Sequence, residues 1–387
     1  MKVLHIISSS GMYGAEAVIL NLARTLRDGP HRCELGVFSN SANPNHQLHE
    51  IALKDGFDSH LIPCRGQVDR ATIASIRELV DRTGADVVHA HGYKADIYTY
   101  FALRGMRMPL VSTCHTWYDT DLFVSLYGMA DRYVLHKYAR VVAVSDEVRQ
   151  RLLKAGVRKE NIRLVRNGID LRPFDGAVAS RRAGARAKSE LVVGLVGRLA
   201  WEKGVDLFLE AAAEVLVEMP ETRFKVVGEG PDREKLERLI DTLNIRESVT
   251  LLGRREDMTS VYASLDVMVS SSRQEGLPMA ILEGMASGLA LVATAVGDVP
   301  TVVVDGRTGM LVPAGDAGLM AAEILELLRD PGKRIRLGEA ARQLIEEDYS
   351  AKRMSADYLR VYEEAIAAMR YSRGRFVSSA TRKGSAK

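Results

Sequence analysis

The feature of this sequence that most constrains its fold is a regular alternation. Short apolar runs rich in Val, Ile and Leu are separated by longer stretches of helical periodicity, along almost the whole chain. Strands followed by crossover helices pair in parallel, so the pattern predicts repeated βαβ units rather than a meander or a bundle. In the first half the runs fall at 3–8, 33–39, 59–64, 86–91, 110–116, 140–145 and 162–168. In the second half they fall at 191–199, 225–230, 249–254, 266–272, 289–294 and 309–313. Helical stretches fill the gaps. Over 145–156, for example, Ser145 is suited to cap a helix and Gly156 to stop it.

The alternation breaks once. Residues 172–190, RPFDGAVASRRAGARAKSE, carry no strand pattern and are rich in Ala, Gly and Arg. A break near the middle of 387 residues suits two domains of ordinary size. The expected division is a first α/β domain over 1–172, a linker or hinge at 173–190, and a second α/β domain over 191–348. A helix follows over 349–369, then a disordered tail over 370–387. Both domains are read as doubly wound and Rossmann-like, with a cleft between them. In open parallel sheets, ligands bind beyond the carboxyl ends of the strands. The residues to weigh are therefore those just after each run.

Charge and cysteine usage remove several function classes. The net charge is +3, yet the last 18 residues hold six basic side chains and no acidic one. Without them, 47 basic residues face 50 acidic ones, a near-neutral body unsuited to nucleic-acid binding. The tail is read as solvated, with attraction to anionic lipid headgroups as the alternative. Three cysteines at 33, 64 and 114 show neither metal spacing nor a disulfide framework and fit a reducing compartment. The N-terminus reads directly as a strand, and no run of about 18 apolar residues occurs. A cytoplasmic protein is expected, with peripheral association at the inner face of the membrane as the variant the tail allows.

The segment SSSRQEGLPMAILEGMASGLALVAT, 270–294, carries the most chemistry. A strand ends at Ser272, a loop holds Glu275, Gly276 and Leu277, and a helix opens at Pro278 or Met279, to be stopped by Gly288. First-turn N–H groups of Met279 and Ala280 lack partners within the helix and sit at its positive end, which suits a diphosphate. Carboxylates beside such a site partner hydroxyls instead, so Glu275 is suited to a sugar ring and Glu283 to a ribose. Read without context, the same two acids are a capping residue and a surface glutamate. Over 197–206, GRLAWEKGVD, Arg198 offers a planar fork and Lys203 a point charge, together able to neutralise a pyrophosphate. The turn Gly228-Glu229-Gly230 is a weaker signal, because the fuller dinucleotide fingerprint is absent.

Together these motifs, with Asn167-Gly168-Ile169-Asp170, resemble the retaining glycosyltransferases of family 4 over nearly the whole chain. That resemblance implies the glycosyltransferase-B fold, with the nucleotide-sugar donor held mainly by the second domain and the acceptor by the first, and with the helix over 349–369 crossing back to the first domain. It implies that Arg198 and Lys203 contact the donor diphosphate, Glu275 the transferred sugar and Glu283 the ribose. It places Arg254, in the segment 253–257, near the base, and Gly230 in the donor site. In the first domain, Gly14 in Tyr13-Gly14-Ala15-Glu16 lets backbone approach a phosphate or sugar. The family often shows two adjacent glycines there. His115, at the end of the fifth run, resembles the family's active-site histidine, which hydrogen-bonds the donor sugar.

His89 and His91 share one strand face. His89 is expected in the core and His91 at the cleft edge, with Tyr93 and Lys94 as acceptor contacts. Asp119-Thr120-Asp121 could chelate a divalent cation, but Arg198 and Lys203 already supply counter-charge. A loop or cap role is expected for it, with no metal and no cofactor. The reaction implied is transfer of a hexose or N-acetylhexosamine, from a UDP-sugar before a GDP-sugar, to a glycan or lipid-linked acceptor. The alternatives are a nucleotide-sugar 2-epimerase and a sugar-phosphate synthase with a small phosphorylated acceptor.

Overall fold

The computed structural model describes residues 1–9, 11–12, 14–40, 45–66, 69–115, 122–182 and 190–383, with side chains for all of these except 122–128, 180–182 and 371–383. Tyr13, Asp119, Thr120 and Asp121 lie outside the described residues. The chain forms two compact units, Met1–Gly168 with Ala351–Lys387, and Ile169–Ser350.

In the first unit strands and helices alternate: β1 (Lys2–Ile7), α1 (Gly14–Arg27), β2 (Arg32–Ser39), α2 (Gln47–Lys54), β3 (Asp58–Pro63), α3 (Arg70–Thr83), β4 (Val87–His91), α4 (Tyr93–Leu103), β5 (Leu110–Cys114), α5 (Leu122–Leu135), β6 (Arg140–Ala143), α6 (Asp146–Lys154) and β7 (Ile162–Leu164). The seven strands pair in parallel in the order β3-β2-β1-β4-β5-β6-β7. β4 and β5 are buried at every position, as strands with helices on both faces must be. Ser145 caps α6 by accepting from the Val148 N–H, and Gly156 follows its end in the left-handed region, φ 85°, both as expected.

The second unit continues with α7 (Asp175–Arg182), β8 (Val192–Val196), α8 (Val205–Glu218), β9 (Arg223–Val227), α9 (Arg233–Thr242), β10 (Val249–Gly253), α10 (Met258–Ala263), β11 (Val267–Ser270), α11 (Met279–Ala286), β12 (Ala290–Thr294), β13 (Met310–Val312), α12 (Ala317–Arg329) and α13 (Pro331–Asp348). Its six strands run parallel in the order β10-β9-β8-β11-β12-β13. A core centred on Phe208, Phe224, Val269 and Ile324 lies on one side, and another around Tyr262, Leu282 and Met285 on the other. This is a pair of doubly wound, Rossmann-like domains, the fold class the alternation predicts.

The edges of the units differ from expectation. Ile169 and Phe174 are buried in the second unit's core and Leu171 packs against it, so the boundary falls at Gly168 rather than within 172–190. That stretch holds α7, which packs on α10. The last helix, α14 (Ala351–Lys383), groups with the first unit, and what differs there is its length, since it runs well into the segment read as a disordered tail. It lies on α1, β4, β5 and β6 and buries Met354, Tyr358, Val361 and Tyr362.

Candidate functional site

The sequence order of the second sheet reverses between β8 and β11. Strands on either side of such a point send their following loops in opposite directions, which opens a crevice at their carboxyl ends. A shallow, open recess lies there, lined by Gly197 and Lys203 after β8, Ser271 and Ser272 after β11, and Pro278 and Ala280 at the start of α11. All four strands from β10 to β11 are parallel, so Arg254, Gly230, Arg198 and Glu275 sit beyond the same edge of the sheet. The second-unit residues that sequence reasoning assigned to the donor are brought to one end of one sheet; Gly14 and His115 lie in the first unit.

Pro278 occupies the N-cap of α11 in an extended conformation, ψ 133°, with no side chain capping the helix. The side chains of Leu277, Met279 and Ala280 pack toward the core. What these residues offer an anion is therefore backbone N–H at the positive end of a helix dipole. Arg198 is half exposed and makes only a 3.9 Å ion pair with Glu202. Arg254 is exposed beyond β10.

Lys203 and Glu275 are joined to each other by a direct ion pair, although the sequence reading gave them separate partners. Their side chains are 23% and 14% exposed. The pair sits in a framework that fixes both loops. The Ser272 hydroxyl donates to Glu275 at 3.3 Å, and the Ser271 hydroxyl donates to the Gly204 carbonyl at 2.7 Å. The Arg273 N–H donates to the Glu202 carbonyl at 2.8 Å, and its guanidinium forks onto Asp206 at 2.7 and 3.0 Å.

Glu283 is held from behind. The Tyr262 hydroxyl, from α10, donates to Glu283 Oε2 at 2.6 Å. Burial pushes the Glu283 carboxyl up from the ordinary carboxylate range, and the tyrosine hydrogen bond opposes that rise. Sequence reasoning missed Tyr262, which carries no motif signal. It also missed Gly297. A Cβ there would overlap the Glu275 carbonyl oxygen, and the Asp298 N–H donates to the Gly276 carbonyl at 3.1 Å. The turn 295–298 thus props the loop that carries Glu275; its Gly-Asp pair was the available signal.

In the first unit Gly14 opens α1 after β1, at the strand-to-helix turn. Tyr93 opens α4 and is 51% exposed, while Lys94 lies 5.7 Å over the Phe38 ring. His115 follows β5, and burial lowers its pKa to about 4. His91 differs from expectation: it is 4% exposed and is no edge residue. It hydrogen-bonds His115 at 3.2 Å on one side and His5 at 3.0 Å on the other. His89 is fully buried, as expected.

Comparison with known proteins agrees with this geometry. Residues 12–172 match the family described as Glycosyltransferase Family 4, and residues 190–330 match Glycosyl transferases group 1. An alpha-D-kanosaminyltransferase of Streptomyces kanamyceticus is 32% identical over 72% of this chain and 77% of its own length. The N-acetyl-alpha-D-glucosaminyl L-malate synthase of Bacillus anthracis is 26% identical over 84% of this chain and 86% of its own. Among solved structures, Anabaena Alr3699/HepE in complex with UDP superposes with a TM-score of 0.81 at 21% identity, covering 94% of this chain and 100% of that one.

The two parallel-sheet units and their neighbours define a glycosyltransferase-B fold. The chain belongs to glycosyltransferase family 4 and is a glycosyltransferase.

Proposed function

We propose that the protein transfers a hexose or N-acetylhexosamine from a nucleotide sugar, a UDP-sugar before a GDP-sugar, with retention at the anomeric carbon. The observation that carries this reading is the set of groups at the β8–β11 edge: two cations, an uncapped helix start and two held carboxylates. A nucleoside diphosphate sugar presents anionic phosphates to the first two and hydroxyls to the last. The HepE structures bound to UDP and to UDP-glucose support the donor class.

The charge that develops in the reaction lies on the leaving diphosphate. Arg198, Lys203 and the α11 N-terminus would stabilise it, in a place where preorganised dipoles and cations act strongly. The bond from the anomeric carbon to the phosphate oxygen breaks and a bond to the acceptor oxygen forms on the same face. The acceptor proton passes to the leaving phosphate, so no side chain is assigned as general base. Glu275 would orient the sugar hydroxyls and Glu283 the ribose, with His115 of the first unit donating to the sugar. No metal is assigned to the diphosphate.

For the acceptor we propose a glycan or lipid-linked glycan made in cell-surface polysaccharide synthesis, at the cytoplasmic side. No described helix is long and apolar enough to cross a membrane. A small polar acceptor is the second reading, favoured by relatives named for malate and for inositol 3-phosphate. The test is incubation with a panel of UDP-, GDP- and ADP-sugars, with and without candidate acceptors. Glycosyl transfer from one donor, with an α-linked product from an α-linked donor, is expected. An epimerised donor, or nucleotide release from none of them, refutes the proposal.

A further inference from the structure

The first sheet also reverses order, between β1 and β4, and there it carries an unusual set of side chains. His5 in β1 lies opposite His89 in β4, and His91 is two residues further toward the carboxyl edge. Thr113 is paired with His91 across β4 and β5, and His115 follows. Two hydrogen-bonded strings run through this set. In the first, His115 Nε2 meets His91 Nδ1 at 3.2 Å, and His91 Nε2 meets His5 Nδ1 at 3.0 Å. In the second, His89 bonds the Tyr362 hydroxyl at 2.8 Å and Thr113 at 2.7 Å, and Thr113 bonds Tyr358 at 3.1 Å. His5, His89 and His91 are at most 4% exposed.

We propose that His5 and His91 are positioning residues that set the tautomer of His115, so that it presents Nδ1–H to its ligand. This rests on the reading of His115 as a donor-sugar contact. Burial lowers the pKa of His5 to about 3 and that of His91 well below the ordinary value, so the rings are neutral and each carries one proton. A string of neutral imidazoles can order its protons in only two ways, because each ring must donate from one nitrogen and accept at the other.

In one order His115 donates inward, His91 donates to His5, and the last proton sits on His5 Nε2. That nitrogen is buried without a partner, and an orphaned buried N–H is strongly disfavoured. In the other order His5 Nδ1–H donates to His91 and His91 Nδ1–H donates to His115 Nε2. The outermost proton then stands on His115 Nδ1, ready for a sugar oxygen. A residue in the first strand thereby decides what a residue 110 positions later can offer.

The ligating atoms of His5, His89 and His91 also lie within 4.8 Å of one another. A cation there would have to displace one of the two His89 bonds, to Tyr362 or Thr113, and one of the two His91 bonds, to His5 or His115, so the hydrogen-bonded arrangement is the one we assign.

The experiment is NMR of the full-length protein carrying 15N,13C-labelled histidine, with resonances assigned by single substitutions. His115 and His91 are expected as Nδ1–H tautomers in the substrate-free protein. His5→Phe should mix the His115 tautomers and lower kcat by about 10-fold with little change in donor KM. His5→Gln, which can still donate to His91, should restore both. A wild-type His115 in the Nε2–H form overturns the proposal, as does a His115 tautomer unmoved by His5→Phe. So does one equivalent of Zn2+ that shifts all three resonances, since the rings would then be ligands. If His5→Phe does not fold, the wild-type tautomers and His5→Gln still decide. The tautomers need no substrate: finding them as expected in a protein that transfers no sugar would sink the proposed function and leave this inference standing.

Discussion

In the free protein the lysine assigned to the diphosphate is already bonded to the glutamate assigned to the sugar. Incoming phosphate must therefore compete with Glu275 for Lys203. Replacing Glu275 by Gln removes that competitor, keeps the side-chain volume and takes a negative charge away from the anion site. The pair is neither a fully exposed ion pair nor a buried one, with side chains 23% and 14% exposed. An interaction of that kind contributes about 1–2 kcal/mol, more than a surface pair and less than a desolvated one. Releasing Lys203 should then tighten binding of a nucleoside diphosphate by roughly 5- to 30-fold. The same substitution should lower turnover by orders of magnitude, because the sugar loses the carboxylate that orients it. Calorimetric titration of UDP and of GDP into wild type and Glu275→Gln measures the first effect, and steady-state transfer measures the second. The combination of tighter product binding and lost turnover is the signature. If UDP and GDP both bind no tighter, or turnover survives, the assignment of this pair to phosphate and sugar is wrong.

Three further outcomes follow from the structure. Tyr262→Phe removes the hydrogen bond to the Glu283 carboxylate, worth about 1.5–3 kcal/mol when the acceptor is charged. Because the folded-state pKa of Glu283 is raised, the loss should be larger at pH 8 than at pH 4.5. Thermal unfolding at the two pH values checks this, and equal losses contradict it. Asp96 and Asp131 are buried near each other, and burial raises both, Asp131 to about 7. Raised carboxyls favour the folded state below pH 4, and that advantage fades as pH climbs through 7. Asp96→Asn should therefore raise Tm at pH 8 and flatten its dependence between pH 5 and 8; an unchanged pH profile refutes it. EDTA should leave transfer intact, and complete loss of activity restored by Mn2+ would show that the diphosphate needs a metal after all.

The donor edge was legible because each of its groups lies within a few residues of a strand end. Arg198, Lys203, Gly230, Arg254 and Glu275 follow β8, β9, β10 and β11 directly, and parallel pairing then collects them at one edge. What escaped depends on contacts between segments that periodicity does not order. A doubly wound order puts β1 beside β4, but strand spacing does not fix their register or which side chains meet across it, so His5 could not be matched with His91. Tyr262 reaches Glu283 from a different helix, and no local pattern announces that. α7 was hidden because its Ala, Gly and Arg composition carries no apolar stripe; the buried side chain of Phe174 just before it supplies the anchor instead. The Ser- and Gly-rich stretch after 370 likewise lacks the pattern of a helix, yet α14 continues to Lys383.

The return of α14 to the first unit sets a condition on biosynthesis. Tyr358 and Tyr362 complete the hydrogen bonds of Thr113 and His89, so the interior of the first unit is finished by residues made more than 240 positions later. A nascent chain that has emerged through β7 still shows an uncovered, histidine-lined sheet face, and shields it only once the residues of α14 have followed. The second unit, continuous from 169 to 350, faces no such delay and can close before its predecessor does. Ribosome-stalled chains in which residue 350 has emerged but residues 351 onward have not should thus leave the first unit sensitive to protease while the second is already resistant.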